Sequence, residues 1–291
     1  MSRRQPMDVA LVRRMVDAQF PQWAGIPLAP VANPGWDNQS FRLGETMVVR
    51  LPNAAEYSPQ VAREQHWLPR LAAALPLPIP APLALGKPMF GYAWPWSIYA
   101  WIEGEAASTA RVADMAAFAT SLAGFLAALR AADPVAGPAP GPDNFFRGGS
   151  LAAYDAEVRS ALSILEQRID TAAALSLWDA ALETAWPHAP VWVHGDVSPG
   201  NLLMREGRFA GVIDFGALAI GDPACDLAIA WTFLSGKSRD LFIKRCALDD
   251  GTWTRARAWA LWKALVVAAG LAETNAVEWR HPRRVIEQLT K

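Results

Sequence analysis

The chain has 291 residues, with 27 Lys+Arg against 28 Asp+Glu, a formal net charge of -1, 52% hydrophobic and 19% charged residues. This composition excludes wholesale disorder and supports a sizeable core without disulfide or metal staples, while the balanced charge gives no overall counterion-release drive towards nucleic acid. Cys225 and Cys246 are the only cysteines, too few for a secreted disulfide framework or a thiolate zinc site, so a reducing, cytoplasmic setting is expected.

At about twice a typical domain length, the chain is expected to form one two-lobed domain or two modest ones. Met7 to Phe20 places Leu11, Val12, Met15 and Val16 on one face and predicts an opening amphipathic helix, with no export signal around it. A turn at Asn33-Pro34-Gly35 leads to Ser40 to Leu43 and Thr46 to Leu51 around Gly44-Glu45, a predicted hairpin. Val61 to Leu75 returns to helical spacing, and the proline-rich stretch from Pro76 to Pro82 forbids helix and predicts an extended connection. Ser97 to Ile102 reads as a buried strand, and Ala131 to Asn144, with four prolines, as a surface loop. A strand-rich N-terminal third thus precedes a mainly helical part, and the crossover at Ile102 to Gly104 is the expected ligand seat. Ala258 to Ala272 is the most apolar stretch, but Lys263 interrupts it and it falls short of the ~20 residues that span a bilayer, so a buried helix and no membrane partner are expected.

The chemistry concentrates in Val191 to Gly216, where Leu202 to Met204 and Phe209 to Ile213 form a predicted hairpin turning at Arg205 to Arg208. Antiparallel pairing puts Asn201 and Asp214 at the same open end, about one strand spacing apart. An amide oxygen and a carboxylate suit Mg²⁺ when phosphate oxygens and water complete its shell. Asp196, five residues before Asn201, is then placed to orient an attacking hydroxyl and accept its proton. His194-Gly195-Asp196, Asn201 and Asp214-Phe215-Gly216 follow the order of base, metal-binding Asn and metal-binding Asp in kinase signatures.

This set resembles the aminoglycoside phosphotransferase and choline kinase family of the protein-kinase-like superfamily, and Gly221-Asp222-Pro223-Ala224-Cys225-Asp226-Leu227-Ala228 extends the resemblance. The resemblance implies an α+β, protein-kinase-like two-lobed fold, with an antiparallel-sheet nucleotide-binding lobe over residues 1–103 and a mainly helical lobe over 104–291 carrying the catalytic loop and acceptor site. It implies transfer of the γ-phosphoryl group of ATP or GTP to a small-molecule hydroxyl, with Asp196 as base, Asn201 and Asp214 as Mg²⁺ ligands, and His194, Asp222 and Asp226 as supports. Further contacts are implied in the N-terminal third. Gly35 and Ser40 belong to a hairpin covering the nucleotide, Arg50 stands where kinases carry a phosphate-binding lysine with Glu64 as its ion-pair partner, and Ala100 and Ile102 meet the purine edge. Arg50 is equally readable as half of a structural salt bridge, and a planar guanidinium is no simple substitute for lysine.

Only twelve positions separate Asp214 from Asp226, too few for the peptide platform of a protein kinase, so no protein substrate is expected. Lys237 to Lys291 holds eleven Lys+Arg and six Asp+Glu, a surplus that weighs against a polycationic aminoglycoside acceptor. Trp231, Phe233, Trp253, Trp259, Trp262 and Trp279 suit either an apolar acceptor pocket, as for a macrolide, or plain core packing. Two alternatives stay open: a catalytically weak kinase-like binding module, suggested by Arg50, and a metal-dependent hydrolase built on Asp196, Asp214 and Asp226.

Overall fold

A computed structural model describes residues 7–32, 35, 37–272 and 281–291. Of the residues singled out above, Asn33, Pro34 and Trp279 lie outside that set. The chain divides into two compact units, Met1–Ala73 with Pro78–Glu103, and Ala74–Leu77 with Gly104–Lys291.

In the first unit, α1 (Val9–Gln19) begins where the Asp8 carboxylate accepts the Ala10 N–H, and it buries Val12, Met15 and Val16. Strands β1 (Leu28–Pro30), β2 (Asn38–Leu43) and β3 (Met47–Pro52) are followed by helix α2 (Ser58–Ala72), then β4 (Pro82–Gly86) and β5 (Trp96–Ala100). The five strands make an antiparallel sheet in the order β1-β2-β3-β5-β4. The predicted hairpin is β2-β3, closed by the Leu43–Met47 pair. The predicted strand from Ser97 stops at Ala100, two residues short of Ile102. The β4 strand was hidden behind the prolines: it lies at the sheet edge with Leu83 and Leu85 exposed, so neither alternation nor burial marks it in the sequence.

Pairing parity decides what each face of this sheet carries. Phe41, Val49, Leu51, Trp96 and Ile98 share one face and pack with Val12, Met15 and Val16 of α1 in an apolar core. Ser40, Arg50 and Ser97 form a row across three strands on the opposite face, and Tyr99 follows two residues on. Glu64 and Gln65 of α2 bond to this polar row.

The second unit holds β6 (Glu105–Ala106), α3 (Met115–Ala131), α4 (Asp155–Ile164), α5 (Thr171–Leu182), β7 (Val191–Val193), β8 (Leu202–Arg205), β9 (Arg208–Val212), β10 (Ala219–Gly221), α6 (Ile229–Thr232), α7 (Gly236–Cys246), α8 (Asp250–Ala268) and α9 (Pro282–Leu289). Two small antiparallel sheets, β6-β8-β9 and β10-β7, carry the loops of interest. The predicted loop at 131–144 is irregular apart from a short 3₁₀ turn, Pro142–Asn144. Helix α8 contains the apolar stretch noted above as far as Ala268, the last four residues lying beyond its end, and packs on α4, α5 and α9. Among the described residues no helix is long and apolar enough to cross a membrane.

Cys225 and Cys246 are both buried free thiols. Burial pushes the Cys246 thiol up to about 11 and the Cys225 thiol well above its usual range, so neither offers a thiolate at neutral pH. Both should resist a disulfide reagent at pH 8 and react only when denaturant unfolds the chain. Rapid labelling of the native protein, followed by mass spectrometry, would contradict this burial.

Candidate active site

Strand β7 delivers the chain into His194-Gly195-Asp196, and the local geometry follows from a few well-fixed groups. Gly195 sits at φ +84, and a Cβ there would come within 2.5 Å of the Ala217 carbonyl oxygen, so the tight passage needs glycine. The Asp226 carboxylate accepts the His194 and Gly195 N–H groups, each at 2.8 Å. The buried His194 ring accepts the Asp196 N–H at Nδ1, 3.1 Å away, and is left to donate from Nε2 to the Ile213 carbonyl at 3.0 Å. Its ring packs on Phe215 with 4.5 Å between centroids.

Asn201 closes the arrangement. Its Nδ2 donates to the Asp196 carbonyl oxygen and to Asp196 Oδ2, both at 2.9 Å. Its backbone carbonyl accepts the Ile213 N–H at 2.9 Å, extending the β8-β9 ladder in which Leu202 pairs with Val212. Ile213 is therefore bonded to both Asn201 and His194, and Asp214 follows it at φ +67, a left-handed conformation that Asp tolerates better than most residues. The structure thus brings the segments bearing Asp196, Asn201 and Asp214 together through His194 and Ile213. Asp196 is exposed, and Asn201 and Asp214 are half-buried.

Asp226, implied by the resemblance to be a support, lies inside a 3₁₀ turn (Pro223–Leu227) and reaches across to the loop from β7. Burial pushes its carboxyl up, opposed by the two N–H groups and by Arg130. Asp222 caps that turn, accepting the Ala224 N–H at 3.0 Å. It also forms a buried ion pair that sequence reasoning missed: Arg255 Nε lies 2.5 Å from Asp222 Oδ2 and Nη2 lies 3.4 Å from Oδ1. Nothing in the local pattern announces a partner 33 residues away. Gly221 approaches Gly148 so closely that a Cβ would fall 2.1 Å from the Gly148 oxygen, which locks the entry to this turn.

In the first unit Arg50 Nη1 lies 3.2 and 3.3 Å from the two Glu64 carboxylate oxygens. Tyr99, also unanticipated, donates its hydroxyl to Glu64. Burial, with the Glu64 charge beside it, pushes this phenol well above its usual range, so it remains a donor. Ser40 lies opposite Arg50 in the ladder. The Ala100 N–H is donated to Ala81 at 2.9 Å, so of the predicted purine contacts Ala100 has its carbonyl to offer rather than its N–H. Ile102 lies just beyond the end of β5.

The donor chemistry of Asn201 and Asp214 fits an oxygen-seeking divalent cation. Asn201 turns its amide nitrogen to Asp196, which assigns the amide oxygen to the opposite side, and Asp214 adds a carboxylate. Among the described residues no group of three or more His, Cys, Asp or Glu side chains is arranged to hold a metal. The carboxylate-cluster hydrolase draws on Asp226, whose carboxylate is committed to the His194 and Gly195 N–H groups.

Several aromatic and cationic side chains counted in the sequence are used inside the fold. Trp259 and Trp262 are buried, while Trp231 packs on Trp253 and Phe233 on Phe118. Arg239, Arg255 and Arg257 bond to Ala230, Asp222 and Leu289, so the linear charge surplus overstates the positive field available to an acceptor.

The sequence model of the phosphotransferase enzyme family matches residues 29–260. An aminoglycoside 3'-phosphotransferase from Escherichia coli is 43% identical over 63 residues, a match covering 21% of this chain and 23% of that protein. One from Salmonella typhimurium is 37% identical over 71 residues, covering 19% and 26%. The chain thus spans about a quarter of the length of the curated relatives it matches. Among solved structures, the GDP complex of an aminoglycoside 2'-phosphotransferase mutant aligns with a TM-score of 0.70 at 19% identity over 97% of this chain and 95% of that one. A macrolide 2'-phosphotransferase from Brachybacterium faecium aligns with a TM-score of 0.60 at 21% identity over 97% and 98%. At these identities the likeness shows the fold, the kinase-like mixed α+β architecture of these enzymes. With most of its length matched by the family's sequence model, the chain belongs to the phosphotransferase enzyme family.

Proposed function

We propose that this protein is a small-molecule kinase that transfers the γ-phosphoryl group of ATP or GTP to an alcohol. The observation that carries this reading is the hydrogen-bonded closure of the loop, in which the Asn201 amide holds the Asp196 carboxylate while Ile213 ties Asn201 and His194 to the residue preceding Asp214. The similar structures that hold GDP or ADP support a nucleotide as phosphoryl donor.

In this reading Asp196 accepts the proton of the acceptor hydroxyl as its oxygen forms a bond to the γ-phosphorus. The bond from that phosphorus to the β–γ bridging oxygen breaks, and the nucleoside diphosphate leaves. Asn201 fixes the Asp196 carboxylate for this task, and the buried His194 fixes the loop by joining the Asp196 N–H to the Ile213 carbonyl. Asn201 and Asp214 are the proposed ligands of Mg²⁺, which when bound neutralises charge on the phosphate oxygens. Arg50 is assigned to donor phosphate, with Glu64 and Tyr99 setting its orientation. Gly35 and Ser40 are assigned to the phosphate-facing hairpin, and the Ala100 carbonyl and Ile102 N–H to the purine edge. A small hydroxylated molecule is the proposed acceptor, as in the aminoglycoside complexes of similar proteins, and the cytoplasm is the proposed compartment.

Asp214→Ala tests the metal assignment by calorimetry. Loss of an outer partner of a metal ligand typically costs about 10- to 100-fold in affinity, and loss of the ligand itself should cost at least as much. Nucleotide affinity in the presence of Mg²⁺ should fall accordingly, while metal-free affinity stays unchanged. Equal affinity with and without Mg²⁺ in the unaltered protein would remove Asn201 and Asp214 from this role.

A further inference from the structure

Arg147 stands beside the catalytic loop, and neither the sequence reading nor the assigned roles use it. It follows the 3₁₀ turn at Pro142–Asn144, and a Cβ placed on Gly195 would meet the Arg147 Cβ at 3.0 Å. The guanidinium carbon lies 4.8 Å from the Trp262 ring centre, 5.1 Å from Trp259 and 5.8 Å from Tyr154. Its charge reaches the Cys225 thiol, lowering a pKa that burial raises.

Three aromatic faces attract this cation, but they accept no conventional hydrogen bond. Arg147 Nε is buried with no hydrogen-bond partner, and among the described residues no carboxylate pairs with the guanidinium. The contrast with Arg255 is instructive, because that arginine, more deeply buried in the helical unit, has a carboxylate and two hydroxyls around it, whereas the half-buried Arg147 has none among the described residues. A partly desolvated guanidinium without an anion is an electrostatic site lacking its counter-charge. A Cβ on Gly195, the residue before Asp196, would meet the Arg147 Cβ, and successive Cα atoms are 3.8 Å apart, so the guanidinium lies on the order of 10 Å from the Asp196 backbone. A small acceptor with its hydroxyl at Asp196 has a length of that order.

We propose that Arg147 binds an anionic oxygen group, carboxylate or phosphate, on the acceptor, and so selects small hydroxylated anions over polycationic aminoglycosides. The proposal deepens the phosphotransferase reading by naming its acceptor class.

Calorimetry with inorganic phosphate as the probe separates the two. Arg147→Met keeps an unbranched apolar stem against the rings and removes the charge and donors, whereas Arg147→Lys keeps the charge. Arg50→Met removes the assigned donor-phosphate cation from the count. Phosphate should bind the unaltered protein and Arg50→Met; Arg147→Met should weaken it about tenfold or more, and Arg147→Lys less. Thermal midpoints of the variants report whether the fold is kept, and if Arg147→Met fails to fold, Arg147→Gln takes its place with the same expectation. Phosphate binding unchanged in the folded neutral variant would overturn the proposal. This measurement needs no turnover, so a protein that transfers no phosphoryl group can still bind phosphate at Arg147, and an active kinase can still fail the test. Turnover supplies a second arm with gluconate, glucose 6-phosphate, sorbitol and kanamycin as trial acceptors. Arg147→Met should raise KM for anionic acceptors selectively, gluconate and glucose 6-phosphate separating carboxylate from phosphate. A change of equal size for charged and neutral acceptors would mean a packing role and would also overturn it.

Discussion

Asp196→Asn should lower kcat by about 10²- to 10⁴-fold, the contribution of a positioned general base, and leave the fold and Mg-nucleotide affinity intact. The asparagine is nearly isosteric and can still accept the Asn201 amide hydrogen that now reaches Asp196 Oδ2 at 2.9 Å. What it cannot do is take the hydroxyl proton. Because the carboxylate is exposed and its neighbours are anchored by His194, Ile213 and Asp226, the substitution should not spread into the fold. Steady-state kinetics with nucleotide binding measured in parallel checks the split. A drop in nucleotide affinity that matched the loss of turnover would assign Asp196 to binding instead.

Arg255→Met should have the largest effect on stability. It strands the buried Asp222 carboxylate, which is paired at 2.5 and 3.4 Å and belongs to a pair whose side chains are only 4% and 11% exposed. Removing one partner of a buried, hydrogen-bonded pair costs about 3–5 kcal/mol, mostly as the penalty of an uncompensated charge. Thr184 and Thr252, each 3.1 Å from the guanidinium, also lose a partner. Adding Asp222→Asn should recover part of the loss, because the stranded group is then neutral. The urea midpoints of the single and double variants measure this directly. A single variant within about 1 kcal/mol of the unaltered protein would place this pair among weak surface contacts. The consequence reaches the active site, since Asp222 caps the turn from which Asp226 holds His194 and Gly195.

What the sequence made legible follows from the range of each interaction. The β8-β9 hairpin declares itself through two apolar runs and a Gly-containing turn, and pairing then forces Asn201 and Asp214 to one end. Arg50 and Glu64 were paired by resemblance, and the structure gives them contact at 3.2 Å. Contacts across the fold left no such mark. Asp222 to Arg255, Asp226 to the Gly195 N–H and Tyr99 to Glu64 join segments 31 to 35 residues apart, and no local period encodes them. The β4 strand escaped for a different reason, its exposed leucines at a sheet edge imitating a loop. The aromatic count was ambiguous because a tryptophan in helix α8 serves packing and cation binding with the same ring, as Trp259 and Trp262 do around Arg147.

The most direct test is the mass of the product formed from a panel of small alcohols with Mg-ATP and with Mg-GTP, run beside Asp196→Asn. A gain of about 80 Da on at least one alcohol, with matching release of nucleoside diphosphate and loss of both signals in Asp196→Asn, is the expected result. Tight nucleotide binding without any phosphorylated alcohol, or equal product from Asp196→Asn, would contradict it.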